Sequence, residues 1–138
     1  MEPTDNIIPG KILWLNVCFP HEMQFHDKYF VLCSYEFPLL LKINTSKTQS
    51  KIAQKKKEYL FSLKKSTYTF LTYDSYLDCG TVWSNLISME EIISQVTKFP
   101  SRIKGEVTSD HRNEIIRLTG KSKSIAARHK KLIANALR

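Results

Sequence analysis

The chain is poor in glycine and cysteine, and each shortage excludes a class of site. The 138 residues include only four glycines, all scattered. A P-loop or a dinucleotide-binding fingerprint needs several glycines in one loop, so neither is present. The three cysteines, Cys18, Cys33 and Cys79, form no CxxC pair. This pattern favours reduced thiols in a cytoplasmic protein over a disulfide framework.

Long apolar runs and hydrolase motifs are also missing. No stretch of 18 apolar residues occurs, so we expect no membrane span. The first ten residues, MEPTDNIIPG, are acidic and lack an apolar core, so no export signal is expected. The sequence has no GxSxG elbow, and His21 and His26 are spaced as HEMQFH instead of HExxH. We therefore predict no metal site and no cofactor.

Arginine is absent before Pro100, and positive charge is concentrated after it. Residues 1–100 carry 11 Lys and Arg against 10 Asp and Glu, whereas residues 101–138 carry 10 against 3. A local excess of cations favours an anionic partner, either a nucleic acid or an acidic protein. A solvated tail without a partner is the alternative.

The first part of the chain has the short apolar runs that are typical of antiparallel sheets. They predict strands over 11–19, 28–34, 39–46 and 59–65, followed by a longer β segment over 66–85. Residues 47–58 are polar and lysine-rich, and they predict an irregular or partly helical excursion. We expect an antiparallel barrel or sandwich over residues 1–86.

The second part, residues 87–138, has helical patterning. Ser88 and Glu91 form a capping box before a run that ends at Pro100. A second helix is predicted over 109–119 with Gly120 as its C-cap, and a third from about Ser124 onward. The predicted fold class is α+β: a small antiparallel β-barrel followed by two or three helices that pack on it as one compact unit.

The order of several short motifs resembles the PemK/MazF family of toxin endoribonucleases. The motifs are PGKILWLN, HEMQ, KYFVLCS, LLLKINTS and FLTYDSYLDC, and they cover roughly residues 9–79. The resemblance implies an SH3-like barrel in a cytoplasmic homodimer. It also implies metal-independent cleavage of single-stranded RNA, and inhibition by a cognate antitoxin or another acidic protein.

The resemblance also assigns roles to individual residues. Gly10 and Trp14 match the opening strand, and the remaining matches are His21, Glu22, Gln24, Thr45, Ser46 and Asp74. This chain has Asp27-Lys28-Tyr29 at the place where the family usually has an arginine and a proline. It has Thr72 at the place where some members have a second arginine. These missing arginines leave Lys28 as the replacement for the phosphate-binding cation.

Cleavage of RNA through its own 2′-hydroxyl needs a base, an acid and fixed cationic donors. His21 or Glu22 is the candidate base and His26 the candidate acid, because the reference pKa of a histidine side chain is about 6.5. Lys28 and Asp74 complete the predicted catalytic set. Thr45, Ser46, Thr72 and His26 are the predicted substrate contacts.

Two other functions remain open from the sequence. Without the family arginines, a barrel of this type is also expected to work as a catalytically inactive module that binds nucleic acid or protein. The basic C-terminal helices alone suggest DNA binding, although no helix-turn-helix turn is clearly marked around Gly120.

Overall fold

The protein has an α+β fold in which a curled antiparallel sheet, a half-barrel, carries three α-helices. The structure is a computed structural model and describes residues 3–45 and 57–138. Within these residues no helix is both long and apolar enough to cross a bilayer.

Among residues 3–45 and 57–138, seven strands form the sheet. They are β1 Lys11–Val17, β2 His26–Ser34, β3 Leu39–Asn44, β4 Leu60–Leu63, β5 Ser75–Asp78, β6 Trp83–Ser84 and β7 Ile103–Glu106. The strand order is β4-β5-β3-β2-β1-β7, and β6 pairs with β3. The pairs β1–β2 and β2–β3 are antiparallel neighbours along the chain, and they form the centre of the sheet.

Three α-helices follow the sixth strand: α1 Met89–Lys98, α2 Ser109–Lys121 and α3 Ala127–Leu137. The Ser88 hydroxyl caps α1 by accepting the backbone N–H of Glu91 at 3.1 Å, as the capping box predicts. Thr108 caps α2 in the same way through the N–H of His111. Strand β7 lies between α1 and α2 and pairs with β1.

The sheet is buried on both faces, which explains why its central strands are nearly all apolar. One cluster contains Ile12, Val31 and Leu41, and it packs against Ile115 and Ile133 of α2 and α3. The side chains at the intervening positions of the same strands form a second cluster, which packs against α1. It includes Leu13, Leu15, Phe30, Leu32 and Leu40. Because side chains alternate along a strand, the two clusters lie on opposite faces of the sheet.

The predictions for β1–β4 and for the three helices are confirmed, with small shifts in their bounds. The long β segment predicted over 66–85 is wrong in its first half. The backbone N–H groups of Thr67 and Tyr68 both bond to the carbonyl of Lys64, and residues 66–73 form turns. Tyr68 and Leu71, three residues apart, are the buried side chains there, so period-two alternation was misleading.

Two further differences concern the second part of the chain. Strand β7 was not predicted, because IKGE contains a glycine and only one apolar residue. Gly120 is not a C-cap: α2 continues through it to Lys121, and Ser122 is the capping residue. The predicted excursion over 47–58 and the end of the predicted third strand fall mostly outside the described residues.

Candidate anion-binding cleft

The loop between β1 and β2 carries the first two candidate catalytic residues, His21 and Glu22, and both are exposed. The Glu22 carboxylate lies 2.9 Å from Nε2 of His26, the first residue of β2. Both side chains are nearly half exposed, so the pair contributes little to stability. Its chemical effect is to orient the imidazole ring and to hold the proton on Nε2.

Two lysines from neighbouring strands line one small cleft beside this pair. Lys28 of β2 and Lys42 of β3 share a cavity of about 120 Å³ with Asn44 and Thr45. Both lysine side chains are partly buried. Two ammonium groups together with an amide and a hydroxyl form a set of donors suited to an oxyanion such as a phosphodiester.

The alternation of the strands explains why these side chains meet. His26, Lys28 and Phe30 have the same parity along β2, and Phe30 pairs directly with Lys42 in β3. Lys28 is therefore a diagonal neighbour of Lys42 on the same face of the sheet. The two lysines lie on the face of the sheet that packs against α1, next to the area that the apolar cluster around Phe30 covers.

The surroundings of Lys42 make its charge costly. Burial lowers the pKa of the Lys42 ammonium, and the positive charge of Lys28 lowers it further, while Glu22 and Asp78 act in the opposite direction. The ammonium also lies 5.0 Å from the centre of the Phe19 ring, a cation–π contact. A second cation in a partly desolvated cleft attracts an anionic ligand, because the ligand relieves the repulsion between the two lysines.

The remaining predicted residues lie outside this cleft or outside the described chain. Asp74 accepts a 2.8 Å hydrogen bond from the backbone N–H of Lys65 and lies 3.9 Å from the Lys64 ammonium, so it fastens the connection between β4 and β5. Thr72 is exposed in the same connection. Ser46 lies outside the described residues.

Asp27, the residue before Lys28, has a structural role. The Asp27 carboxylate accepts hydrogen bonds of 3.2 Å from the side chains of Asn16 and Arg102. Arg102 also donates to the carbonyl of Trp14 at 2.8 Å and stacks over the Trp14 ring. Asp27 therefore joins β2 to the segment before β7, and by parity it points away from the face that carries Lys28.

Sequence reasoning missed Lys42 and Asn44 as members of the cleft. The signal was present in LLLKIN, where a lysine interrupts an otherwise apolar strand and is two residues from an asparagine. Such a lysine is either at a sheet edge or held in a partly buried site, and β3 is a central strand.

A second, larger cavity of about 440 Å³ lies between the end of β1 and α1. Its walls include Val17, Leu86 and Ile87, and its polar side chains include Glu91 and Gln95 but no lysine, arginine or histidine. An anion would be repelled there by the Glu91 carboxylate. Of these two cavities, the charge pattern therefore favours the smaller one as the site for a phosphate.

Within the described ranges, no group of three or more His, Cys, Asp or Glu side chains is arranged to hold a metal ion. No family model matches the chain, and no curated protein matches it at a significant level.

Proposed function

We propose that this protein is a metal-independent endoribonuclease of the PemK/MazF-like toxin type, with its sheet as a variant of the SH3-like barrel. The observation that carries the proposal is the pair of lysines from adjacent strands, Lys28 and Lys42, which line one cleft on the face of the sheet that carries His26, the partner of Glu22. Asn44 and Thr45 add neutral donors to the same cleft.

In this proposal His26 is the general base. The Glu22 carboxylate accepts a hydrogen bond from Nε2–H of His26, so the neutral imidazole has its lone pair on Nδ1 and can take a proton there. The 2′-hydroxyl of the substrate gives its proton to Nδ1 as its oxygen bonds to phosphorus. The bond from phosphorus to the 5′-oxygen then breaks, and the products are a 2′,3′-cyclic phosphate and a 5′-hydroxyl.

His21 is assigned the role of general acid. It is exposed, and it precedes Glu22 in the loop that leads to β2. A protonated imidazole at this place supplies the proton that the leaving 5′-oxygen needs. This assignment reverses the sequence-based interpretation, in which His26 was the acid, because the contact of Nε2 with Glu22 leaves Nδ1 as the proton acceptor.

The two lysines replace the family arginines as the phosphate-binding cations. An arginine grips two phosphate oxygens with one planar fork, whereas a lysine is a point donor. Two lysines on diagonal positions of adjacent strands offer two such points with a fixed spacing. Lys28 and Lys42 together therefore offer the two phosphate contacts that one arginine would offer in a typical member of the family, with two positive charges instead of one.

The proposal includes single-stranded RNA as substrate, a cytoplasmic location and a homodimer. An antitoxin or another acidic protein is the expected inhibitor, since a carboxylate-rich segment would compete with phosphate for the lysine cleft. Asp74 is given no catalytic role, because its carboxylate is hydrogen-bonded within the β4–β5 connection. Thr72 lies in the same connection and is given no role either.

The experiment is cleavage of a defined single-stranded RNA by the purified protein in the presence of EDTA, with the RNA ends identified by mass. We expect a 2′,3′-cyclic phosphate end. We also expect His26→Gln to lower the rate by about a hundredfold or more, as for loss of a general base. Lys42→Met should lower it by about a hundredfold through loss of transition-state charge stabilisation.

Lys65→Met is the matched control, because Lys65 is an exposed lysine in the β4–β5 connection. It should leave the rate unchanged. Lys28→Arg should raise activity if the cation at this position binds phosphate. Intact RNA under all conditions would contradict the nuclease proposal, and activity that disappears with EDTA would contradict its metal-independent mechanism.

A second candidate function is binding of RNA without cleavage. The observation that favours it is the engagement of Asp27 and Asp74 in structural hydrogen bonds, which leaves Glu22, His21 and His26 as the proton-transfer groups among the predicted site residues that the structure describes. Uncut RNA that binds to the wild type and is released by Lys42→Met would support this candidate. RNA that is neither bound nor cut would exclude both functions.

A further inference from the structure

Helix α3 has one buried side and one basic side. Its buried side chains are His129, Ile133 and Leu137, four residues apart. At about 100° per residue these three lie within an arc of roughly 80°. They face the sheet and α2, so the opposite side of the helix is turned away from the core.

Four exposed polar residues occupy that opposite side. Arg128, Lys131, Asn135 and Arg138 are spaced by three, four and three residues and are all exposed. Arg128 lies at the edge of this side, and its guanidinium group is 5.0 Å from the centre of the Phe37 ring. Helical geometry places Arg128, Lys131 and Asn135 within an arc of roughly 60° on the side opposite the buried stripe. Arg138 is the C-cap residue and follows at the end of the helix. They therefore form a single stripe, about 15 Å long, along the outside of α3.

The charge of this stripe is not compensated. Helix α3 contains no Asp or Glu. The arginines of the preceding segment are paired: Arg102 with Asp27, Arg112 with Glu106 and Arg117 with Glu114. No salt bridge of the described residues involves α3. Lys121 and Lys123, in and after the last turn of α2, are exposed at the approach to the helix and extend the positive region.

The helix is held firmly enough to present this stripe as a fixed surface. The Ser122 hydroxyl, in the connection from α2, donates a 2.8 Å hydrogen bond to the Gly80 carbonyl. Arg112 of α2 donates to the Leu137 carbonyl at 3.4 Å. Ile133 and Leu137 are almost completely buried. A preorganised surface loses little side-chain and backbone freedom on binding.

The chemistry of the stripe distinguishes between polyanions. Unpaired RNA is bound by exposed aromatic rings on which the bases stack, and the stripe of α3 has no aromatic residue. Arginine, lysine and asparagine are the side chains that contact phosphates and the edges of guanine and adenine in the major groove. The major groove of B-form DNA admits an α-helix, whereas that of A-form RNA is too narrow.

We propose that the outer stripe of α3, Arg128, Lys131, Asn135 and Arg138, binds duplex DNA with the helix at the major groove. The arginines and the lysine contact phosphates and base edges, and Asn135 is positioned between them for a base edge. Lys121 and Lys123 contact the flanking backbone. This inference uses a different surface from the lysine cleft and does not depend on RNA cleavage.

The test is fluorescence anisotropy of a labelled B-form duplex titrated with the full-length protein over a series of salt concentrations. The variant Lys131→Gln/Arg138→Gln removes two contacts. At about 0.1 M salt we expect its affinity to be on the order of tenfold to a hundredfold lower. The slope of log affinity against log salt should become less negative by about 1.8.

The matched control is Lys65→Gln/Lys98→Gln, which removes the same charge from two exposed positions outside the helices α2 and α3. It should keep nearly the wild-type affinity and slope. Circular dichroism and thermal unfolding of both double variants check that the fold is intact, which is expected because all four side chains are exposed. Equal losses in the two variants would overturn the proposal, since net charge alone would then explain binding.

Single-stranded RNA of the same length supplies the second comparison. Loss of RNA affinity in Lys131→Gln/Arg138→Gln with unchanged duplex affinity would also overturn the proposal. A protein that cuts RNA but does not bind the duplex would contradict only the role of α3. A protein that binds the duplex but leaves RNA intact would contradict only the nuclease proposal.

Discussion

Replacing Ile133 with alanine tests whether the basic helices belong to the same folding unit as the sheet. Ile133 lies on α3 and has no exposed surface. It belongs to the same apolar cluster as Ile12 and Val31 of the central strands and Leu77 of β5. If the helices were a detachable tail, this substitution would leave the sheet unaffected.

The expected cost follows from the size of the deletion. Isoleucine to alanine removes three carbon atoms, which is about 2.4 kcal/mol of transfer free energy at about 0.8 kcal/mol per carbon. The cavity left between α3 and the sheet adds to this, and buried substitutions of this kind cost about 2–5 kcal/mol in total. We expect about 3–4 kcal/mol here, a large part of the about 5–15 kcal/mol that stabilises a typical domain.

Urea unfolding followed by two signals measures the effect. Tryptophan fluorescence reports on the sheet, because Trp14 and Trp83 lie in β1 and β6, and far-UV circular dichroism reports mainly on the helices. Both transitions should shift together to lower urea by about 1.5–2 M, given a slope of about 2 kcal/mol/M. Ile93→Ala is the matched control, because Ile93 is 38% exposed on α1; it should cost less than about 1 kcal/mol. A fluorescence transition unchanged by Ile133→Ala would show that the sheet and the C-terminal helices do not unfold as one unit.

Three further predictions concern single residues. Lys42→Met should stabilise the protein at neutral pH, measured by urea unfolding, because burial lowers the pKa of Lys42 below its ordinary value of 10.5. Between the pKa of Lys42 in the folded protein and its pKa in the unfolded chain, the unfolded chain binds more protons. The stability of the wild type should therefore increase as pH rises through that interval, and the stability of the variant should not show this increase. An equal pH response in both proteins would contradict the prediction. Gly10→Ala should lower stability by more than about 1 kcal/mol in thermal unfolding, since φ is +97° and a new Cβ would lie 2.9 Å from Cζ of Arg112; a change within about 0.5 kcal/mol would mean that Arg112 moves aside freely. Asp74→Ala should destabilise the β4–β5 connection by about 1 kcal/mol in the same assay and leave any RNA cleavage unchanged, and a loss of cleavage at equal stability would restore Asp74 to the catalytic set.

Periodic burial made several elements predictable from the sequence. The spacing of Ile92 and Val96 after Ser88 gave the correct start and face of α1, because a capping residue and a stripe of apolar residues are both local signals. The central strands were predictable for a similar reason. An apolar run bounded by turn residues is short enough only for a strand, and β1–β3 satisfy that condition.

The misses come from contacts between residues that are distant in sequence. Tyr68 is buried because its hydroxyl lies 2.6 Å from Nδ1 of His111, 43 residues later, and accepts the N–H of Thr108 at 3.2 Å. Strand β7 exists because the β1 edge is available for pairing, and nothing in IKGE signals this. The cleft depends on the register of β2 against β3, which fixes the diagonal of Lys28 and Lys42.

Arg112 mechanically connects the two surfaces to which we assign functions. Its guanidinium group donates to the Pro9 carbonyl at 3.1 Å, just before β1, and to the Leu137 carbonyl in the last turn of α3. Strand β1 in turn pairs with β2, which carries His26 and Lys28. A ligand that shifts the end of α3 therefore acts on a contact of the same guanidinium group that binds the entry to β1. By thermodynamic linkage, any effect of such a ligand on binding at the cleft is matched by an equal effect of the cleft's ligand on α3.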